Sequence, residues 1–423
     1  MDVQEYIDAK LVHSVHTSER RSFRGCRRRW SWIFRDTYYP RVTAKPLEFG
    51  VAYHKAMEIY FEPTRWNVGT EEARQALAKK AFFDVCKTQY NAYVENFGSP
   101  SSEVVEDYDD RVQLGNGMLN YFFDTIAPEF RERFVPMGVE VKFEVPITDP
   151  DGNQLWCKCR MCFERWMKHF KPEQDPNTVP YDPKTTGWYG LPVTYGGRLD
   201  ILVYDLRLGG YYILDWKTAA RLSANMDTFL ISGELPAHLI NDDQITSYVW
   251  ALRLVLNLDI KGFIYWEQFK GYPQEPEPMK QRRKGLLYSV NKQQDVSYET
   301  YRRTVEDNDV EAYNAGLYDE FLEYLREGGK RYHGIYPVNR NDAELASAGY
   351  HIWLEAADMV DPGLRVYPSA GRFSCSTCAF AEPCRMMNAG EDYKYMLETS
   401  FDKRGYHYWE DAPKTTEQRG RVS

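Results

Sequence analysis

YGGRLDILVYDLRLGGYYILDWK, running from Tyr195 to Lys217, decides the fold. Leu199 to Tyr204 and Tyr211 to Trp216 alternate apolar and polar residues around a polar turn ending in Gly209-Gly210, the signature of a β-hairpin. Asp200 sits in the first strand and Asp215 in the second, where apolar residues would pack more cheaply. A turn centred between Arg207 and Leu208 puts the two aspartates opposite each other, unless the double glycine shifts the register. Lys217 lies two residues past Asp215 and shares its face. Like charges across a hairpin destabilise it. A divalent cation held by oxygen ligands offsets that repulsion, and Lys217 beside it orients a water or steadies charge developing on a phosphate. An isolated Asp-x-Lys is usually an exposed hairpin with scattered charges. Here the apolar flanks and the order Gly-x-x-Asp, hairpin, Asp-x-Lys-Thr favour the cation.

Gly197-Arg198-Leu199-Asp200 followed by Asp215-Trp216-Lys217-Thr218 resembles the core of the PD-(D/E)XK nucleases, in particular their RecB-like branch. The resemblance implies an α/β fold, a restriction-endonuclease-like core with a central mixed sheet flanked by helices. The first carboxylate lacks the preceding proline of the superfamily's name. Phe49 to Phe61 reads as an amphipathic helix with Val51, Met57 and Ile59 among its apolar positions, and His54 and Glu58 share a face. A lone helical histidine is usually structural, but the Gly-x-x-x-His segment of RecB-like nucleases matches Gly50 to His54 and implies a metal-ligating imidazole. Asn241 to Leu256 is a further helix on which Gln244 and Tyr248 share a face. They are either a packing pair or, by the same resemblance, the Gln-x-x-x-Tyr motif that follows the lysine strand.

The 423 residues suffice for one large domain or two smaller ones, and no run of about eighteen apolar residues offers a membrane span. The N-terminus lacks the basic-then-apolar layout of a secretory signal, so a cytoplasmic location is expected, or the host nucleoid if the chain is phage-encoded, with no membrane partner. With a net charge of −9, DNA contact must come from a local basic groove. Eight cysteines in such a chain point to metal or cluster ligation rather than disulfides.

Glu19 to Phe34 carries six arginines around Cys26, with Trp30 and Trp32 following. Arg24, Arg27 and Arg28 are candidate DNA contacts, the alternative being a solvated helix face. Thr70 caps a helix reaching Phe97, a second spans Val104 to Phe134, and the two are expected to pack together beside the sheet, with Cys86 a buried thiol. Val139 to Ile147 reads as a half-buried strand with Val139, Val141, Phe143 and Val145 on one face. Glu140 or Glu144 is either an active-site assistant or, more commonly, solvent-facing. An insertion from Thr148 to Val193 contains Cys157, Cys159 and Cys162, a candidate zinc site with His169 as fourth ligand, or else free thiols. Lys261 to Phe269 reads as a strand with Gly285 to Val290 as its hairpin partner, and their loop offers Lys280, Arg282, Arg283 and Lys284 to phosphate or to solvent. Ser297 to Glu327 is helical, and the tail after Ser400 is expected to be disordered.

Cys375, Cys378 and Cys384 show the spacing C-x2-C-x5-C and leave a tetrahedral site one ligand short, which Cys26 can complete. This pattern resembles the iron-sulfur subset of RecB-like nucleases, which includes CRISPR-associated exonucleases and AddB-type nuclease domains. It implies a 4Fe-4S cluster joining the two ends of the domain, with zinc as the alternative occupant. The arginines around Cys26 would then form a basic lip near the DNA path. The expected organisation is one nuclease domain over residues 1–400: helical region 45–135, catalytic core 136–295 with the insertion 148–193, C-terminal helices and cysteines 296–400, and a tail 401–423. The function expected is a metal-dependent DNA nuclease using magnesium or manganese, an exonuclease on single-stranded ends in recombination, repair or phage- or CRISPR-related processing. Asp200, Asp215, His54 and the Trp216 carbonyl would hold the metal, Lys217 would position the nucleophile, and Gln244 and Tyr248 would orient the lysine or contact the strand. The alternatives are a DNA-end-binding iron-sulfur module whose cleavage is secondary, and a redox sensor. Protein partners are possible.

Overall fold

In a computed structural model describing residues 2–41, 45–179, 181, 187–223, 230–231 and 235–403, the central hairpin forms in the expected register. The main sheet has seven strands: β1 (His13–Val15), β2 (Phe134–Pro146), β3 (Trp156–Cys157), β4 (Leu191–Asp205), β5 (Gly210–Ala219), β6 (Ile260–Phe269) and β7 (His333–Asn339). Ile201 pairs with Leu214 and Asp205 with Gly210, so the ladder ends one residue short of Asp200 and Asp215, which the same register sets opposite each other. Gly209 and Gly210 have φ of 67° and 142°, values that favour glycine, and they close the turn without shifting the strands.

Strand β4 organises the sheet. Along one edge it pairs antiparallel with β2 and then with β3. Along the other, β5 pairs with Ile201 to Asp205 and β1, in parallel, with Val193 to Tyr195. Between these two partners β4 forks away from β5, and Asp200 stands at the fork. Strand β6 runs parallel to β5, with Trp216 beside Trp266, and β7 pairs antiparallel with β6. The sheet is mixed, as expected.

Helices cover both faces: α1 (Thr17–Gly25), α2 (Lys45–Tyr60), α3 (Glu71–Phe97), α4 (Ser102–Tyr121), α5 (Arg160–Phe170), α6 (Asp243–Leu256) and α7 (Asp342–Val360). On one face Tyr53 of α2, Phe82 of α3 and Met118 of α4 bury Ile201, Leu214, Trp216 and Trp266. Thr70 caps α3 by accepting the Ala73 N–H, and Cys86 within the helix is fully buried. On the other face Phe163 of α5, Val249 of α6 and Ile352 of α7 cover Val145, Leu199, Ile213 and Phe263.

Three expectations need correction. Val139 packs in the first core but Val141 in the second, and across the ladder Ile201 and Leu199 divide the same way. The alternation slips at Glu140, whose φ is 51°, and at the facing Asp200. The antiparallel partner of β6 is β7, far along the chain; Leu286–Tyr288 pairs instead with Pro278–Arg283, so Lys280, Arg282 and Arg283 lie on a separate two-stranded ribbon, with Lys284 in its turn. Phe401–Lys403 is a strand paired with Tyr38–Pro40, while the rest of the expected tail, 404–423, lies outside the described residues. No helix among the described residues is long and apolar enough to cross a membrane.

Candidate active site

Where β4 and β5 part, Asp200 takes over as a backbone partner: its Oδ2 accepts the Trp216 N–H at 2.9 Å. The same oxygen lies 3.2 Å from His54 Nδ1, carried in from the α2 face. From the opposite face Lys217 forms an ion pair with Asp215 Oδ2, and Gln244 Nε2 of α6 donates to Asp215 Oδ1 at 3.4 Å. The site passes through the sheet at the fork. His54 stands on one side, Lys217 and Gln244 on the other, and the two carboxylates between them.

Burial penalises the charge on Asp200, but the His54 imidazole, Lys217 and the Trp216 N–H outweigh it and hold the carboxyl below its usual range. At Asp215 burial wins against Lys217, and with repulsion from Asp200 the pKa is pushed up to about 6. Burial also works against charge on His54 and Lys217, yet the aspartates raise both. These four groups therefore titrate as one network.

A small pocket of about 10 Å³, room for one water or ion, is lined by His54, Met57, Glu58, Glu140, Asp200, Ile201 and Trp216. Glu140, for which a solvent-facing position was the commoner expectation, lines it and pairs with Arg198 at 2.6 Å. Burial raises its pKa, and Asp200 and Glu58 push the same way. Asp200, Glu58 and Glu140 bring hard carboxylate oxygens to this pocket beside one imidazole, a donor set that suits magnesium or manganese. Asp215 stays on Lys217: among the described residues, His54, Asp200 and Asp215 are not a set whose ligand atoms all lie within 4.8 Å. Tyr248 packs edge-on against Phe143, and its buried hydroxyl feels the charges of Asp215 and Asp200.

The arginines around Cys26 hold the protein's own parts together. Arg24 pairs with Asp243 and Glu355, Arg27 with Asp358, and Arg28 donates to Cys384 Sγ at 3.2 Å and to Asn388. Arg282 pairs with Asp309, while Arg283 is exposed. Trp30 and Trp32 are core residues. Cys26, Cys375, Cys378 and Cys384 come to one region: Cys378 feels the charges of Cys26 and Cys375, and Cys378 and Cys384 pack beside Trp32, Phe380 and Phe401. Backbone N–H groups of Ser369 and Gly371 donate to Cys26 and Cys375, each at 3.5 Å.

In the insertion the expected fourth ligand is corrected. His169 is exposed and lies against Phe170, and the imidazole that joins Cys157, Cys159 and Cys162 is His13, with all four ligand atoms within 4.8 Å of one another. A three-residue strand gives too little periodicity to read, so His13 carried no usable signal in the sequence.

Comparison with curated proteins returns no match. The family model described as the PD-(D/E)XK nuclease superfamily matches residues 17–385, a span that takes in His54, both aspartates, Lys217 and the cysteines from Cys26 to Cys384. Members of that superfamily are nucleases that typically use magnesium or manganese. With the match extending over most of the chain and the forked hairpin at its centre, this protein belongs to the PD-(D/E)XK nuclease superfamily.

Proposed function

We propose that the protein is a metal-dependent deoxyribonuclease of the RecB-like branch, hydrolysing phosphodiester bonds at single-stranded DNA ends. The observation that carries the reading is the fork itself: two facing aspartates, Asp200 half-buried on His54 and Asp215 buried on Lys217. His54, Asp200, Asp215 and the Trp216 carbonyl would hold magnesium or manganese, which, when bound, makes a water nucleophilic and polarises the phosphate. Lys217, released from Asp215, places its ammonium against the developing negative charge. Gln244 holds the Asp215 carboxylate in orientation through its amide, and Tyr248 closes the wall behind it. The Trp216 N–H keeps Asp200 aimed at the fork.

Cys26, Cys375, Cys378 and Cys384 would carry a 4Fe-4S cluster. One observation supports it: backbone and Arg28 donors point at the sulfurs, the kind of hydrogen bond that tunes such clusters. The test is a purified full chain given end-labelled linear and closed circular single-stranded DNA, with chelator, magnesium or manganese. Cleavage of the linear substrate that requires the divalent ion supports the proposal. No divalent-dependent cleavage of any DNA by a folded preparation overturns it, and cutting of circles at an equal rate overturns the end preference.

A further inference from the structure

Strand β4 brings together two segments of the chain that lie far apart. At its beginning His13 of β1 registers beside Val193 on one edge, and Cys157 of β3 registers beside Leu191 on the other. The chain then turns into α5 with Cys159 as its N-cap and Cys162 in its first turn. Cys162 Sγ lies 3.4 Å from His13 Nδ1, although the two are 149 residues apart in sequence. Cys157 and Cys162 are buried, Cys159 and His13 half-buried.

From this convergence we propose that His13, Cys157, Cys159 and Cys162 bind one zinc ion, a structural site separate from the catalytic fork. Zinc–sulfur and zinc–nitrogen bonds of about 2.3 and 2.0 Å place neighbouring ligand atoms about 3.5–4 Å apart around a tetrahedron, within the 4.8 Å spread seen here. Three thiolates and an imidazole are the donor set zinc prefers. The backbone supports it. Cys162 N–H donates to Cys159 Sγ at 3.5 Å, and the start of α5 favours negative charge at both sulfurs. Arg165 of α5 donates to the carbonyls of Val12 and Lys10 at 2.6 and 2.7 Å, fixing the strand that presents His13. Arg35 lies within electrostatic reach of Cys159 and Cys157, where it offsets the net negative charge of such a centre. The ion would clamp the insertion and the N-terminal strand onto the strand that carries Asp200 further along.

The site stands independently of the nuclease reading and is tested by metal content. The full chain, produced with zinc supplied and washed with a mild chelator, is expected to retain about one zinc per chain. Cys159→Ser with Cys162→Ser should lose that zinc without changing the iron content. His13→Cys should retain it, a control against general misfolding. Cobalt in place of zinc should give intense tetrahedral bands with sulfur-to-metal charge transfer, and His13→Cys should shift them. Absence of zinc, its replacement by iron or copper, its persistence in the double variant, or its loss on Cys375→Ser instead would overturn the proposal.

Discussion

Glu140 stands opposite Asp200 in the β2–β4 ladder, and the side-chain alternation of both strands slips at that pair. Glu140 adopts a left-handed backbone with φ 51°, a conformation that costs a non-glycine residue about 1–2 kcal/mol. The strain turns its carboxylate into the pocket at the fork. Glu140→Gly is therefore expected to leave the urea midpoint unchanged or slightly higher while raising the magnesium concentration needed for half-maximal cleavage several-fold. Equal magnesium requirements for the two proteins would remove Glu140 from the site.

Asp200→Asn keeps an oxygen that can accept the Trp216 N–H but removes a charge from the cation site. Cleavage should fall by about a hundredfold or more, with the melting temperature close to that of the unmodified protein. A divalent-dependent nuclease assay alongside a thermal melt checks both halves.

Arg20 is fully buried and bonds both Asp243 of α6 and Glu355 of α7. Removing one partner strands the others. Arg20→Met should cost about 3 kcal/mol in urea unfolding, a loss that a solvated arginine would not produce.

Cys86 gives a pH test away from either metal region. Burial pushes its thiol up to about 11, so at pH 8 almost none is thiolate, the reactive form. Alkylation of native Cys86 should run at least about a hundredfold slower than that of a free thiol and rise about tenfold per pH unit until pH approaches 11. Peptide mapping after iodoacetamide treatment, with a urea-unfolded control, measures it.

Local chemistry was readable, and partners distant in the chain were not. The turn geometry places Asp200 opposite Asp215 because the two glycines fit the loop without adding a residue to either strand, and helical spacing sets Gln244 and Tyr248 on one face for the same local reason. Distance along the chain alone points to His169 as the fourth zinc ligand. His13 reaches the thiols through a parallel pairing with Val193, which no local pattern encodes. The same holds for β6: Leu286–Tyr288 is nearer in sequence, but β7 supplies the ladder. The arginines near Cys26 read as nucleic-acid contacts because their acidic partners on α6 and α7 lie hundreds of residues away.

Trp216 stacks on Trp266 at 5.0 Å, and Trp266 stacks on His333 at 5.5 Å. This column of rings runs behind the strand that bears Asp215 and Lys217, so displacing that strand would mean taking apart the stack. One wall of the cleavage centre is thus set during folding, and the entropy of ordering it is spent before any DNA arrives.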